Sequence, residues 1–298
     1  MEKHLPLTVV ILTYNEEKNI KNCINSIINW CDQIFIVDSG STDNTLMICE
    51  KYPINIISHS YIDHTNQWKW ILNNLTFRYE WIMPLDADHI VTDLLKSEIE
   101  DILNNPSPNI NGYYSKHYYY FKGTRIHGFK PYSLRLFKKS KVKMDDSELV
   151  DFRFIIEGKT DKLNGIIIEN NQNENSIDFW IDKHQKFSSR FAIEEVLRRS
   201  GILNWSLTPQ LFGNPDERII WIKNYWYHMP LFIRPFLYFL YRYIFRCGFL
   251  DGINGFIYHF LHAFWFRFIV DIKISELQEK IKYGEINIYQ LKDQYLSK

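Results

Sequence analysis

The first hundred residues alternate short β-branched runs with amphipathic stretches. Leu7–Thr13 is apolar, rich in Val and Ile, and ends in a polar turn, the pattern of a buried strand. Ile20, Cys23, Ile24, Ile27 and Ile28 then recur at helical spacing across Glu17–Ile28. Further strands are expected over Ile34–Val37, Ile54–Ile57 and Trp81–Leu85, with a helix around His64–Leu75. Residues 110–157 read as more strands and loops, and 176–200 as a helix. Strands alternating with helices predict an α/β fold whose mixed, mostly parallel sheet is covered on both faces.

Open α/β sheets bind ligands beyond the carboxyl ends of their strands, where the strand order reverses. Polar clusters fall at those ends: Thr13-Tyr14-Asn15-Glu16, Asp38-Ser39-Gly40-Ser41 and Asp86-Ala87-Asp88. Two carboxylates one residue apart after a buried strand suit a hard divalent cation that also takes diphosphate oxygens. An isolated Asp-x-Asp is more often a solvated turn, and its place at a strand end is what shifts the balance. Asp38 is placed to accept from a ribose hydroxyl or a base N–H, whereas Asp43 reads as the N-cap of the next helix. No GxGxxG follows the first strand, so a nicotinamide-binding fold lacks its phosphate turn.

The chain has 298 residues, room for one large domain or two ordinary ones. Its 35 Lys+Arg balance 35 Asp+Glu, which argues against a nucleic-acid partner held by global charge. Cys23, Cys31, Cys49 and Cys247 form neither a disulfide framework nor a zinc pattern. Met1-Glu2-Lys3-His4 and the short run after it do not read as a signal peptide, which favours the cytoplasm.

The composition is most unusual in its 9 Trp, 19 Tyr and 21 Phe. Nineteen of these rings lie in residues 221–270, with Lys223, Arg234, Arg242, Arg246 and Arg267 against one acid, Asp251. Arg, Pro and His interrupt both apolar windows, 231–247 and 253–270, so neither reads as a spanning helix. Aromatic rings with interspersed Arg fit helices lying in a membrane interface; an ordinary buried helical subdomain is the competing reading. The expected organisation is a catalytic domain over 1–220 and a helical, interfacial region over 221–298, peripheral on the inner face of the cytoplasmic membrane.

Val9-Val10-Ile11-Leu12-Thr13-Tyr14-Asn15-Glu16-Glu17, the run from Ile36 to Thr45, and Leu85-Asp86-Ala87-Asp88 together resemble the family 2 glycosyltransferases. The chain is similar in particular to a bacterial subgroup that builds surface polysaccharide and lipopolysaccharide. Asn66-Gln67, Leu134-Arg135-Leu136-Phe137, Phe179-Trp180, Lys183-His184 and Gly248-Phe249-Leu250-Asp251-Gly252 carry that likeness. The resemblance implies a GT-A fold, Mn2+ or Mg2+, and an inverting, hexosyltransferase-type transfer from a nucleotide-diphospho sugar, UDP favoured. It implies a lipid-linked or lipopolysaccharide-core saccharide as acceptor.

Position by position, the resemblance implies that Thr13, Tyr14 and Glu16 line the nucleotide and that Asp38 reads the base. Gln67 would lie near the diphosphate or donor sugar, Asp86 would face the donor, and Asp88 would hold the metal. The catalytic base maps to Asp145-Asp146-Ser147-Glu148, where the subgroup usually shows Asp-Glu-His. The base therefore stays open between Asp146, which is preferred, and Glu148. His89 stands where Glu is common. Arg135 and Lys130 are weaker candidates for phosphate or acceptor contact, since basic residues beside Tyr and Phe more often cover apolar surface; Trp180 is expected in the core, and His127 is left unassigned. Two other readings remain: a catalytically silent, membrane-associated assembly partner with the same fold, and a sugar nucleotidyltransferase. The latter normally has a Gly-rich, basic phosphate loop, which Thr-Tyr-Asn-Glu-Glu does not supply.

Overall fold

A computed structural model describes residues 4–148, 150 and 152–291. Residues 292–298 of the expected C-terminal region lie outside the described residues. The chain forms two compact units. One runs to Tyr120 and adds Lys130–Met144 and Phe154–Asn173; the other takes Phe121–Phe129, Asp145–Arg153 and the chain from Glu174 onward. The expected cut at 220 falls inside a helix of the second unit, Pro215–His228.

The first unit begins with β1 (Leu5–Thr13), α1 (Ile20–Asn25), β2 (Cys31–Asp38), α2 (Thr45–Cys49), β3 (Asn55–Ser58) and α3 (His64–Asn74). It continues with β4 (Trp81–Asp86), β5 (His89–Val91), α4 (Asp93–Asn104) and β6 (Ile110–Phe121). The two-residue strand β7 (Thr124–Arg125) falls within the second unit, and the first resumes with β8 (Tyr132–Lys138), β9 (Val142–Met144), β10 (Phe154–Ile156) and β11 (Lys159–Glu169). The main sheet has the order β3-β2-β1-β4-β8-β6-β11-β5. Pairings β1–β2, β1–β4, β2–β3 and β6–β11 are parallel, while β8 runs antiparallel to β4 and β6. The chain builds outward from β1 to β3 and then crosses to β4, so the strand order reverses between β1 and β4. This is the expected mixed, mostly parallel α/β sheet.

Val9, Val10 and Ile11, which point to alternate faces of β1, are wholly buried, as a central parallel strand covered on both faces requires. Each such side chain contributes roughly 1.5–3 kcal/mol of burial. Ile20, Cys23 and Ile24 of α1 pack in the same core. The helix is shorter than the apolar spacing suggests because Glu17 is drawn into a loop. Its amide donates to Asp43 Oδ2 (3.1 Å) and its carboxylate accepts from Asn44 (2.8 Å). On the far side, α4 lies so close to β11 that a Cβ at Gly165 would strike the Leu95 backbone. Pro84 is tolerated inside β4 because β8 pairs only with Trp81 and Ile82, leaving no ladder donor due at Pro84 on that side.

The second unit contains α5 (Ile177–Arg199), α6 (Pro215–His228), α7 (Arg234–Leu240), α8 (Gly252–His259) and α9 (Phe266–Lys282). Wide π turns extend α7 over Tyr241–Phe245 and join α8 to α9 over Phe260–Trp265. Asn214 caps α6 in a reciprocal capping box with Glu217, and Pro215 occupies its first turn. Trp180 is fully buried, as expected, and stacks on His184 at 3.5 Å between ring centres.

The cationic reading of 221–270 is corrected here. Arg234 is wholly buried and clasps Glu195 (2.7 Å) and Asp271 (2.5 Å), so its charge faces carboxylates rather than lipid phosphate. Arg242 is also buried, beneath Phe129, and donates to His262 Nδ1 at 2.7 Å. Of the five basic residues in the segment, Arg246 alone is exposed. In the same segment Phe232, Ile233, Phe236, Leu237, Ile244, Phe245, Leu250 and Ile253 are exposed apolar side chains. No helix among the described residues is long and apolar enough to cross a membrane.

Candidate functional site

Register brings the three strand-end clusters together. Thr13 lies opposite Asp38 on β2, and Leu12 lies opposite Asp86 on β4. The β1 and β2 turns are laced to each other: the Asn15 amide donates to Ser41 Oγ (2.9 Å) and Asn15 Oδ1 accepts from the Thr42 amide (2.8 Å). Asn15 adopts a left-handed conformation, φ 56°, which Asn tolerates better than most residues. Tyr14 is thrown outward, 59% exposed, a ready surface for a flat ring.

Asp38 is fully buried and works inward. Its Oδ1 accepts from Thr13 Oγ1 (3.0 Å) and Ser41 Oγ (2.5 Å), its Oδ2 from the Gly40 and Ser41 amides (both 2.9 Å). Its carboxylate therefore shapes the turn that ends β2. Asp43 accepts from the Thr45 amide at 3.0 Å and so caps the start of α2, one residue ahead of the N-cap position. Burial pushes Asp43 up, but the Thr45 and Glu17 donors outweigh it and leave its carboxyl below the usual value. Glu16 accepts from Asn19 Nδ2 at 2.6 Å. Gln67 is buried on α3 with Oε1 against His59 Nδ1 (2.8 Å), while its Nε2 is a buried donor with no hydrogen-bond partner among the described residues.

Asp86 ends β4 with its side chain 37% exposed, and Asp88 follows with its Oδ2 accepting from Asn171 Nδ2 at 2.9 Å. Burial raises the Asp86 carboxyl, but His89, Arg135 and His64 more than offset it and hold it below its usual value. Asp86 thus keeps the anionic form that a hard divalent cation needs, and an all-oxygen pair fits Mg2+ or Mn2+.

Behind this pair lies a polar relay that the sequence did not reveal. Arg135 is buried and donates from Nη1 to the Pro84 carbonyl (3.1 Å) and from Nε to His117 Nε2 (2.9 Å). With Nε2 accepting, His117 carries its proton on Nδ1, facing Glu169 Oε2 at 3.3 Å. The Asp86 amide donates to His89 Nδ1 (2.9 Å), which leaves His89 Nε2 to face Glu169 (3.6 Å) and Asp86 (3.4 Å). Ligand atoms of His89, His117 and Glu169 lie within 4.8 Å of one another, a spacing also compatible with a cation. His117 Nδ1 donates to Glu169, whereas His89 Nε2 stands just beyond hydrogen-bond range of it. Burial and Arg135 push His117 down to about 3. Burial also lowers His89, yet Asp86, Glu169 and Asp88 outweigh it and leave this ring above its usual value. The one sequence signal was His89 itself, a departure from the family pattern.

The expected base residues belong to the second unit. Asp145 is fully buried, accepting on Oδ1 from the Ser147 amide (2.8 Å) and from Ser206 Oγ (2.5 Å). Glu148 is ringed by cations: Arg153 at 2.6 Å, Lys223 at 3.6 Å and Arg198 at 3.8 Å. Both hold the loop in shape, and Asp146 is the exposed carboxylate of the three. His127 is tied down as well: its amide donates to buried Asp251 (2.8 Å) and its ring Nδ1 bonds the same carboxylate.

The family model "Glycosyl transferase family 2" matches residues 8–155. An uncharacterized glycosyltransferase of Rickettsia typhi is 26% identical over 92% of this chain and 88% of its own length. The lipopolysaccharide core biosynthesis glycosyltransferase LpsC of Rhizobium meliloti is 27% identical, covering 87% of this chain and 91% of its own. Among solved structures, S. aureus TarS 1–349 in complex with UDP-GlcNAc is 15% identical with a TM-score of 0.43, over 93% of this chain and 92% of that one.

Proposed function

Because the chain belongs to glycosyltransferase family 2, we propose that it transfers a sugar, with inversion, from a UDP-sugar to a saccharide of the bacterial envelope. The observation that carries this is the Asp86/Asp88 pair at the switch point between β1 and β4, beside the laced turns of β1 and β2. Thr13, Tyr14 and Glu16 line the nucleotide, and Asp38 acts by holding the turn against which the base rests. The unpartnered Gln67 Nε2 donates to a diphosphate or sugar oxygen. Asp88, with Asp86 beside it, holds Mn2+ or Mg2+, which when bound neutralises charge on the departing nucleotide diphosphate.

Asp146 takes the proton from the acceptor hydroxyl as that oxygen bonds to the anomeric carbon. The bond from that carbon to the diphosphate breaks and its electron pair leaves with the nucleotide. An exposed carboxylate fits this role better than Asp145, which is buried, or Glu148, which is held by three cations. The nature of LpsC supports a lipopolysaccharide-core or lipid-linked acceptor. The exposed apolar surface around Phe245 and Leu250 then docks on the inner face of the membrane through its rings and aliphatic chains, with Arg246 as its basic contact.

A thermal-shift screen of UDP- and GDP-sugars with and without Mn2+ tests the donor side, since a ligand that binds the folded chain raises its apparent stability. A rise with UDP-sugars that needs Mn2+ is expected; no shift with any nucleotide sugar contradicts the reading. Liposome flotation of the full chain against a Phe245→Ser, Leu250→Ser, Ile253→Ser variant tests the membrane side. Equal recovery of both in the soluble fraction removes the docking surface.

A further inference from the structure

The second unit carries a cleft of about 560 Å³, within the size range of small-ligand pockets and large enough for one or two sugar rings. Its walls come from the end of α5 (Arg198), the loop after it (Asn204, Trp205), the last turns of α6 (Asn224, Tyr227) and Gln278 of α9. The Trp205 and Tyr227 rings lie 12° from parallel with centres 6.1 Å apart. Trp205 is fixed in place, because its Nε1–H donates to Asn224 Oδ1 at 2.7 Å and the Arg198 guanidinium sits 3.3 Å from its ring centre.

Arg198 covers one face of Trp205; the aromatic surface of Trp205 and Tyr227 that still lines the cleft, flanked by amide side chains, is suited to a pyranose, whose C–H faces are apolar and whose rim is hydroxyl. The charges on this wall are already compensated: Arg198 pairs with Glu194 at 3.0 Å, and the neighbouring Arg199 with Glu195 at 2.6 Å. That balance favours a neutral saccharide over a phosphate or nucleotide. One donor is left over. Arg198 Nη1 is buried, in a side chain only 2% exposed, with no hydrogen-bond partner among the described residues. A ligand hydroxyl would satisfy this buried donor, whose desolvation is otherwise uncompensated.

The same wall braces the acidic loop. Arg198 Nη2 donates to the Ser147 carbonyl at 2.6 Å, and Ser206, next to Trp205, donates to Asp145 at 2.5 Å. We propose that this cleft binds a neutral pyranose of the acceptor glycan, a sugar other than the one that reacts, and that the ordered wall couples its occupancy to the loop carrying Asp146. The proposal rests on the glycosyltransferase reading, so the test keeps the two apart.

Saturation-transfer NMR on the full chain, with the methyl glycosides of glucose, galactose and N-acetylglucosamine and with glucose 6-phosphate, reports saccharide binding. Nucleotide release from UDP-sugars with Mn2+, measured on the same preparation, reports the reaction. At least one neutral glycoside is expected to bind, and Trp205→Ala to weaken it roughly tenfold. Asn204→Ala, at an exposed position with little bearing on folding, is expected to weaken it as well, at unchanged melting temperature. Wild type that releases nucleotide but binds no glycoside overturns the cleft, as does binding that survives both substitutions. Preference for the phosphorylated sugar overturns the neutral class. A chain that releases no nucleotide from any donor refutes the reaction instead, and the cleft then stands or falls on the glycoside signal and its loss in the variants.

Discussion

Asn171 donates from Nδ2 to Asp88 Oδ2 across 2.9 Å, so the carboxylate assigned to the metal is aimed by a residue two positions beyond the end of β11. Asn171 is itself held, accepting on Oδ1 from the Asn173 amide at 2.9 Å. Outer partners of this kind typically carry about 10–100-fold in metal affinity. Asn171→Ala is therefore expected to raise the Mn2+ needed for half-maximal nucleotide release by roughly tenfold, with the fold intact by circular dichroism. An unchanged metal requirement would separate Asn171 from the metal site.

Glu169 is the meeting point of the relay behind the carboxylate pair. Burial would raise its carboxyl, but the His117 and His89 rings hold it well below the usual range. Glu169→Gln removes the anion that both rings face at Oε2 and leaves only a neutral carbonyl to accept there. The expected cost is about 1.5–3 kcal/mol of stability, the range for hydrogen bonds to a charged group. Thermal unfolding reads this directly, and an unaltered melting temperature would mean the relay is not built as described.

Acid should unfold this protein earlier than its balanced charge suggests. Burial, with Arg135, lowers His117 to about 3; burial, with Lys183 and Arg267, lowers His184 to about 4 despite its bond to the Trp180 carbonyl. In the unfolded chain both rings titrate near ~6.5. Between these values the unfolded state binds protons that the folded state refuses, so stability is full above about 6.5 and is lost as pH falls toward about 4 and then 3. Melting temperatures at a series of pH values should drop over this window. His184→Phe keeps the stack on Trp180 and should flatten the upper part of the drop.

Arg234 and Arg246 make opposite predictions for one residue type. Arg234→Met leaves Glu195 and Asp271 buried without their shared cation, a loss of about 3–5 kcal/mol. Arg246→Ala, at an exposed position, should change stability by less than about 0.5 kcal/mol and act only on lipid binding. Denaturant midpoints of the two variants decide this, and equal midpoints would restore the view that both arginines reach outward.

Much of this fold was legible because its signals are local. The strand from Leu7 to Thr13, the helix from 176 to 200 and the carboxylate pair after Trp81–Leu85 each depend on neighbours within a few residues, and each is found within a few residues of its expected bounds. The relay was not legible, because Glu169 meets partners at positions 89 and 117 only through the pairing of β11 with β5 and β6. Nor was the fate of Arg234. Its partners, Glu195 and Asp271, flank the aromatic segment, so counting charge inside 221–270 made that segment look cationic. The Asp145–Glu148 run showed four acceptor-bearing residues without showing which of them the basic side chains of α5 and α6 would occupy.

The most direct test of the central claim is nucleotide release from a UDP-sugar with Mn2+ by wild type, Asp88→Ala and Asp146→Asn, with and without acceptor saccharide. Wild type should release UDP slowly alone and faster with acceptor. Asp88→Ala should lose both rates, whereas Asp146→Asn should lose the acceptor-stimulated rate by roughly 100-fold or more, the usual scale of general-base catalysis. Unchanged turnover in both variants would contradict the assignment of metal ligand and base.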